Sequence, residues 1–332
     1  MNDYLGPPVR MGIMGCADIA LRRMLPAFAA CQGTTVTAVA SRDGDKARKV
    51  AAEYGCRAWA GYPALLEDPD VEAVYIPLPL ALHSEWIERS LLAGKHVLGE
   101  KPLSQDPATT RRLFALARSR GVVLAENIMF VHHRQHQSVR DLISDGVIGE
   151  VRAVTAVFAI PPPPPGNIRY RQDLGGGALM DIGIHPLLLS QCLLGPEAAV
   201  AGSVLRWHPS HGVDTSGAVL LAAPDGRTAQ VAFGMEHSYR SAYEVWGSAG
   251  RIILERAYAP PASHRPVLRI ETAAGAEDVV LAADDQCGNA VRAFAGAIRS
   301  RVPKFSEDKT LGLARLLADV LAAVPSVKVT ST

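Results

Sequence analysis

The stretch Val9-Arg10-Met11-Gly12-Ile13-Met14-Gly15-Cys16-Ala17-Asp18-Ile19-Ala20 decides the fold. Its apolar run, Met11 to Met14, breaks at Gly15 and passes into a helical pattern. That reads as the first strand, phosphate turn and helix of a dinucleotide-binding unit. Gly15 permits the tight turn, small Ala17 lets the backbone approach a pyrophosphate, and small Ala20 lets helix pack on strand. Cys16, Asp18 and Ile19 complete a turn whose helix N-terminus faces the anion. The position nearest the pyrophosphate is usually glycine and here is Ala17, so the turn alone does not separate a cofactor site from an ordinary strand-to-helix turn. Pro26 is expected to kink the helix or restart it.

The supporting context follows. Thr34 to Ala40, β-branched residues alternating with small ones, reads as a second parallel strand. It ends in Ser41-Arg42. A carboxylate at this tip binds the adenosine ribose in NAD-preferring folds, whereas an arginine pairs with a 2′-phosphate. Arg42 therefore favours NADP(H), and Asp43 is the competing ribose-binding acid if the strand runs one or two residues further.

Strand and helix patterns then alternate: a helix over Asp45 to Tyr54, a strand over Val71 to Ile76, a helix over Ala81 to Leu92, a strand over His96 to Gly99. A helix over Asp106 to Arg120, with Asp106 as N-cap and Pro107 in its first turn, leads to a strand over Val122 to Ala125. This is the rhythm of a doubly wound parallel sheet. A domain boundary is expected near Glu126, giving a Rossmann domain over 1–126 and a second domain over 127–332. After a helix over Gln135 to Gly149 the character changes. Val151 to Ile160, Ala201 to Trp207, Ala218 to Ala222, Thr228 to Phe233, Tyr243 to Trp246, Arg251 to Leu254 and Val267 to Thr272 read as strands with few helices between them. An open, mostly antiparallel α+β domain is expected. Helices near Asp284 to Arg299 and Leu311 to Val324 close the chain, and Pro161 to Pro165 reads as a stiff loop at a sheet edge.

Length and charge bound the function. The 332 residues suit two domains, and 34 basic against 33 acidic residues leave a formal charge of +1, which points to neither nucleic acid nor an acidic membrane as partner. No apolar run is read as long enough to cross a bilayer, and Met1 to Pro8 lacks a signal-peptide layout. The five cysteines contain no Cys-x-x-Cys pair, so a reduced cytoplasmic setting without structural metal is expected.

Chemistry concentrates in three places, each expected at or beside the carboxyl edge of a strand. The first is Ile76-Pro77-Leu78-Pro79, followed by Leu82-His83-Ser84-Glu85-Trp86, where His83 serves either a ligand or the packing of its helix. The second is Glu100-Lys101-Pro102, a lysine at the end of a buried strand in a chain with seven lysines. The third is Gly175-Gly176-Gly177 leading to Asp181 and His185, four apart and hence on one helical face.

The phosphate turn, the Pro-Leu-Pro-x3-His-x2-Trp segment, Glu100-Lys101-Pro102 and Asp181-x3-His185 together resemble the Gfo/Idh/MocA oxidoreductases, and the resemblance covers essentially the whole chain. It implies a Rossmann domain joined to an open-faced sheet domain that supplies substrate contacts and oligomer surface. It places Lys101 close to the nicotinamide and the reacting carbon, with Asp181 and His185 completing the site and a cis bond before Pro102. Cofactor contacts are expected from Gly15, Cys16, Ala17, Asp18, Ile19, Ser41, Arg42, Pro77, Leu78, Leu82, His83, Glu100, Lys101, Asn127 and Arg169.

Tyr62-Pro63-Ala64-Leu65-Leu66, Asn127-Ile128-Met129-Phe130 with His132-His133, Ile160-Pro161-Pro162 with Ile168-Arg169-Tyr170, and Gly234-Met235-Glu236-His237 resemble the nucleotide-sugar 3-ketoreductases within that family. The resemblance implies NADPH-dependent reduction of the C3 ketone of a dTDP-3,4-diketo-2,6-dideoxyhexose to the 4-keto-2,6-dideoxyhexose. Close members of that subgroup can carry tyrosine where this chain has His185. Lys101 is expected to stabilise charge on the carbonyl oxygen. His185 is the expected proton donor, because an unperturbed imidazole titrates at about 6.5, near the working pH; Asp181 is expected to orient it, and Lys101 is the competing acid. Arg169 and Tyr170 are candidates for sugar or diphosphate contacts, Arg169 equally for a structural ion pair. Oxidation of a cyclitol or free sugar, and an NADP-responsive regulatory role without turnover, are the rival readings. A homodimer or homotetramer is expected, because an open sheet needs its apolar face covered.

Overall fold

The computed structural model describes residues 6–300 and 306–324. The chain divides into two compact units, the described residues within Met1–His132 and Gln286–Leu311 forming one and those within His133–Asp285 and Gly312–Thr332 the other.

In the first unit β1 (Val9–Met14) leads through the Gly15 turn to a π-helical stretch, Ala20–Met24, and α1 (Leu25–Ala30). Leu25 N–H donates to Ala20 O, a bond one residue wider than the α-helical one. Pro26 explains the widening, since its missing N–H interrupts the ordinary ladder and the α-helix restarts around it. β2 (Thr34–Ser41), α2 (Gly44–Tyr54), β3 (Arg57–Ala60), α3 (Pro63–Glu67), β4 (Ala73–Ile76), a 3-10 turn Leu80–Leu82, α4 (His83–Leu92), β5 (His96–Glu100), α5 (Pro107–Arg120) and β6 (Leu124–Asn127) follow. The six strands are all parallel, in the order β3-β2-β1-β4-β5-β6.

Strand alternation divides the core. Met11, Ile13, Tyr75 and Leu98 face one layer with Met24 and Phe28, while Met14, Val74, Ile76 and Val97 face the other with Ile87, Leu91 and Leu113. Both faces are covered, as a parallel sheet requires. Asp106 caps α5 by accepting Thr109 N–H at 2.9 Å, as its sequence position indicated.

The second unit begins with α6 (Arg134–Ser144) and β7 (Val151–Ala159). After 3-10 turns at Ile168–Tyr170 and Gln172–Leu174 come a π-helical turn, Leu179–Gly183, and α7 (Ile184–Leu194). β8 (Ala199–Trp207), β9 (Asp214–Ala222), β10 (Thr228–Gly234), β11 (Arg240–Gly247), β12 (Gly250–Glu255), β13 (Val267–Thr272) and β14 (Gly275–Val280) complete an eight-stranded sheet. Its order is β14-β13-β12-β11-β7-β10-β9-β8, with β7 and β10 parallel and the other neighbours antiparallel. The α/β reading of two sheets of opposite character therefore holds.

One face of the second sheet carries buried Val154, Val219, Val231, Val245, Ile252 and Ile270. α7 packs on β7 and β10 from this side, Gly183 letting the helix meet the Phe233 ring. The opposite face carries exposed Val204, Leu220 and Trp246 beside ion pairs such as Arg251 with Glu271 at 2.7 Å.

Several expectations shift. α6 ends at Ser144 rather than Gly149, and the Leu311 to Val324 expectation becomes α9 (Glu307–Ala322). β3, α3 and β14 escaped the sequence reading, because the two strands lie at sheet edges, where alternation has little burial to record. The helix near Asp284 to Arg299, assigned by sequence to the second domain, is α8 (Gln286–Ser300) of the first unit. Its Val291, Phe294 and Ile298 complete the layer around Met11 and Tyr75. The stretch Gln172–Leu194, not singled out from sequence as long enough to cross a membrane, does have that length and contains an 18-residue window of mean hydropathy 1.4. It runs through the 3-10 turn Gln172–Leu174, the π-helical turn and α7, and 72% of that apolar window is buried in the protein.

Candidate active site

In the first unit the strand order reverses between β1 and β4, and the turns leaving their carboxyl ends form the crevice where open α/β sheets take ligands. Gly15 adopts φ +118°, its N–H donates to Ala40 O at 2.8 Å, and a β-carbon there would lie 2.9 Å from the Leu78 side chain. Both the backbone and the fit of Leu78 thus call for glycine. The helical ladder opens with Leu21 N–H on Ala17 O at 3.0 Å, leaving the N–H groups of the turn ahead of it without a helical partner. That array suits a pyrophosphate.

At the tip of β2 lies buried Ser41, which lowers the Cys16 thiol pKa against the larger upward push of burial. Asp43 Oδ1 accepts Asp45 N–H at 3.0 Å and Lys46 N–H at 3.1 Å, so this carboxylate caps α2. Arg42 is exposed, and its charge lowers the Tyr62 phenol pKa against the larger upward push of burial. The tip therefore presents a guanidinium, with its neighbouring acid already engaged.

His83 is 2% exposed, and its two ring nitrogens contact Pro102 O at 2.8 Å and Leu78 O at 2.7 Å. Burial pushes its pKa down, against the pull of the two carbonyls. The imidazole, expected among the cofactor contacts, stands between the Pro77-Leu78 turn and the segment after Lys101. The Lys101–Pro102 bond is cis.

Below that bond lies a polar cluster inside the sheet. Glu100 Oε1 accepts both Tyr75 OH and Asn127 Nδ2 at 2.7 Å, which joins two of the expected cofactor-contact residues to each other. Asn127 Oδ1 is buried with no hydrogen-bond partner, an acceptor that a ligand N–H would satisfy. Gly15, the helix N-terminus, Arg42 and Asn127 together fit a phosphorylated dinucleotide.

The second unit presents Asp181 and His185. Gly176 lies so close to the Arg169 carbonyl that a β-carbon would approach it to 2.5 Å, and Gly177, at φ +124°, is packed against the Asp214 carboxylate. Asp214 Oδ2 accepts Leu179 N–H at 2.6 Å, capping the helical segment that carries both candidates. Burial raises the Asp214 pKa to about 6, against these backbone N–H bonds. Asp181 Oδ2 accepts Arg169 Nε at 2.6 Å, each side chain about one-third exposed at 34% and 36%. Arg169, expected among the cofactor contacts, is thus paired with an expected catalytic residue. His185 Nδ1 lies 3.2 Å from Ile182 O, and its ring meets Phe158 edge-on with centroids 5.2 Å apart. Tyr170 OH donates to Glu236 at 3.2 Å.

Asp214, Phe158 and Tyr258 escaped the sequence reading. Asp214 has no local pattern, since its partner Leu179 lies 35 residues away. Phe158 and Tyr258, whose rings pack at 5.1 Å and flank His185, read as ordinary core aromatics.

Residues 9–128 match the oxidoreductase family model with an NAD-binding Rossmann fold, and residues 136–253 match the GFO/IDH/MocA C-terminal domain. The chain belongs to the Gfo/Idh/MocA oxidoreductases. It is 57% identical over 302 residues to a dTDP-3,4-didehydro-2,6-dideoxy-alpha-D-glucose 3-reductase of Streptomyces violaceoruber, covering 91% of this chain and 88% of the relative. A protein with the same description from Actinomadura kijaniata is 51% identical, over 90% of each chain. A crystal structure of a 3-ketoreductase from Actinomadura kijaniata in complex with NADP and TDP-benzene superimposes with a TM-score of 0.94 at 49% identity, covering 96% of this chain and 98% of that one.

Proposed function

We propose that this protein is an NADPH-dependent sugar 3-ketoreductase that reduces the C3 ketone of a dTDP-3,4-diketo-2,6-dideoxyhexose to the 4-keto-2,6-dideoxyhexose. The observation that carries this is the 57% identity, over nine-tenths of both chains in round terms, to a reductase of that substrate. Similarity to a structure holding NADP and TDP-benzene supports both the cofactor and a dTDP-linked substrate.

Bound NADPH supplies hydride from its nicotinamide ring. The Gly15 turn, with Cys16, Ala17, Asp18 and Ile19, receives the pyrophosphate, while Arg42 beside Ser41 receives the 2′-phosphate in preference to a ribose hydroxyl. Pro77, Leu78 and Leu82 wall the crevice, and Asn127 offers its buried acceptor to the cofactor. As negative charge grows on the C3 oxygen, the Lys101 ammonium stabilises it. His185 donates the proton. Its Nδ1 stands 3.2 Å from Ile182 O, and Phe158 steadies the ring edge-on. Asp181, paired with Arg169, supplies the negative field that supports a charged imidazole. A cytoplasmic homodimer or homotetramer completes the proposal, the exposed Val204, Leu220 and Trp246 of the second sheet being apolar surface for a second copy.

The test is NADPH consumption with the diketo sugar generated in place by a 2,3-dehydratase, against myo-inositol with NAD in the reverse direction. Formation of the 4-keto-2,6-dideoxy nucleotide sugar is expected. Inositol oxidation without sugar reduction would overturn the reading, and so would NADPH binding without turnover of either.

A further inference from the structure

We infer that Glu126 is a positioning residue for Lys101: it anchors the peptide that follows the lysine, and its ionisation sets the field in which the ammonium works. This rests on the reading that Lys101 faces the oxygen under reduction.

Glu126 stands on β6 opposite Gly99 of β5, one residue before the pair Glu100 and Asn127. Its Oε1 accepts Leu103 N–H at 3.1 Å, so the carboxyl reaches from the neighbouring strand across the Lys101–Pro102 step. The Thr310 hydroxyl favours its ionised form. Oε2 is buried with no partner, and the residue is only 6% exposed. An amide would accept the same N–H without the cost of burying an ionisable group. What the carboxyl adds is a change of charge.

The groups around it make that change consequential. Lys101 and Glu100 both act on it electrostatically, Glu100 being held by Tyr75 and Asn127, while His83 grips Pro102 O in the same segment. Burial raises the Glu126 pKa to about 7, reinforced by Glu100 and opposed by Leu103 N–H, Thr310 and Lys101. Below that pH the side chain is neutral and takes nothing from the field of the ammonium. Above it a buried carboxylate offsets part of the positive field, and the rate of reduction falls.

The experiment compares the full-length protein with Glu126→Gln and Thr310→Val. Turnover of the diketo sugar with NADPH, and urea midpoints without substrate, are followed from about pH 5.5 to 8.5. The ratio of wild-type to Gln turnover is expected to fall about fivefold as pH rises through 7, the His185 contribution cancelling in the ratio. The Gln variant is expected to gain in urea midpoint relative to wild type as pH rises toward 7, then hold level. Folded Glu126 keeps a proton that the unfolded chain releases near its ordinary value of about 4.3. Thr310→Val, by removing a hydroxyl that favours the anion, moves both transitions to higher pH. A turnover ratio that stays flat while the midpoint difference titrates overturns the link to Lys101. Flat behaviour in both overturns the ionisation itself. A titrating midpoint in a protein that reduces no sugar at any pH overturns the ketoreductase reading, and with it the role given to both residues.

Discussion

Arg169 Nε donates to Asp181 Oδ2 at 2.6 Å, so a residue of the loop after the proline run holds the carboxylate one helical turn before His185. With both partners about one-third exposed, at 36% and 34%, the pair contributes little to stability, on the order of 1 kcal/mol or less. Its effect falls on placement. Arg169→Ala is expected to lower kcat about tenfold while leaving the NADPH Kd within about twofold, read by steady-state kinetics and calorimetry. A large loss of NADPH affinity with kcat intact would return Arg169 to the cofactor.

Lys101 and His185 separate by magnitude. Lys101→Ala is expected to reduce kcat about a thousandfold with NADPH binding retained, as loss of a preorganised charge at an oxyanion does. His185→Asn is expected to cost about a hundredfold. Near-normal turnover of the His185 variant would pass the proton-donor role to Lys101.

Arg42→Ala is expected to lower kcat/KM for NADPH about thirtyfold and leave that for NADH nearly unchanged, because the lost contact is a charge-assisted one to the 2′-phosphate alone. Asp43 caps α2 and does not take over, so Asp43→Ala is expected to destabilise the fold by about 1 kcal/mol without changing the cofactor preference.

Asp214 titrates with a defined sign. Its folded pKa, raised to about 6, lies above the unfolded value near 3.8. Between those values the folded chain keeps a proton that the unfolded chain has released, so this group makes stability fall as pH rises from about 4 to 6 and then level off. Asp214→Asn is expected to remove that decline, worth up to about 3 kcal/mol by linkage, in denaturant titrations across the window. A constant difference between the two proteins would mean that Asp214 ionises normally.

Tyr75→Phe removes one of the two donors on Glu100 Oε1 inside the sheet. A loss of about 1–3 kcal/mol in unfolding free energy is expected. An unchanged urea midpoint would show that another donor takes the place of the phenol.

Much of this protein was legible in the chain because the deciding features are local. The break at Gly15, the strand patterns at Thr34 and Ala73, the Asp106 cap and the Glu100-Lys101-Pro102 motif each depend on neighbours a few residues away, where period and turn chemistry suffice. Family resemblance then named Lys101, Asp181 and His185 as a set. Less legible were partnerships across long loops: Asp214 with Leu179, Glu100 with Tyr75, Glu126 with Leu103, and α8 with β1. No spacing rule connects such residues, since a buried hydrogen bond answers to where two strands happen to lie. Sequence by itself determined the class of fold, the phosphate turn and the motif residues. Tertiary structure decided that His83 and Asp43 are occupied in bracing and capping, that Arg169 is paired with Asp181, and that Glu126 is buried beneath the Lys101 peptide. The reason is physical: a side chain's type is written at its own position, but its available hydrogen bonds and its charge depend on what folding packs against it.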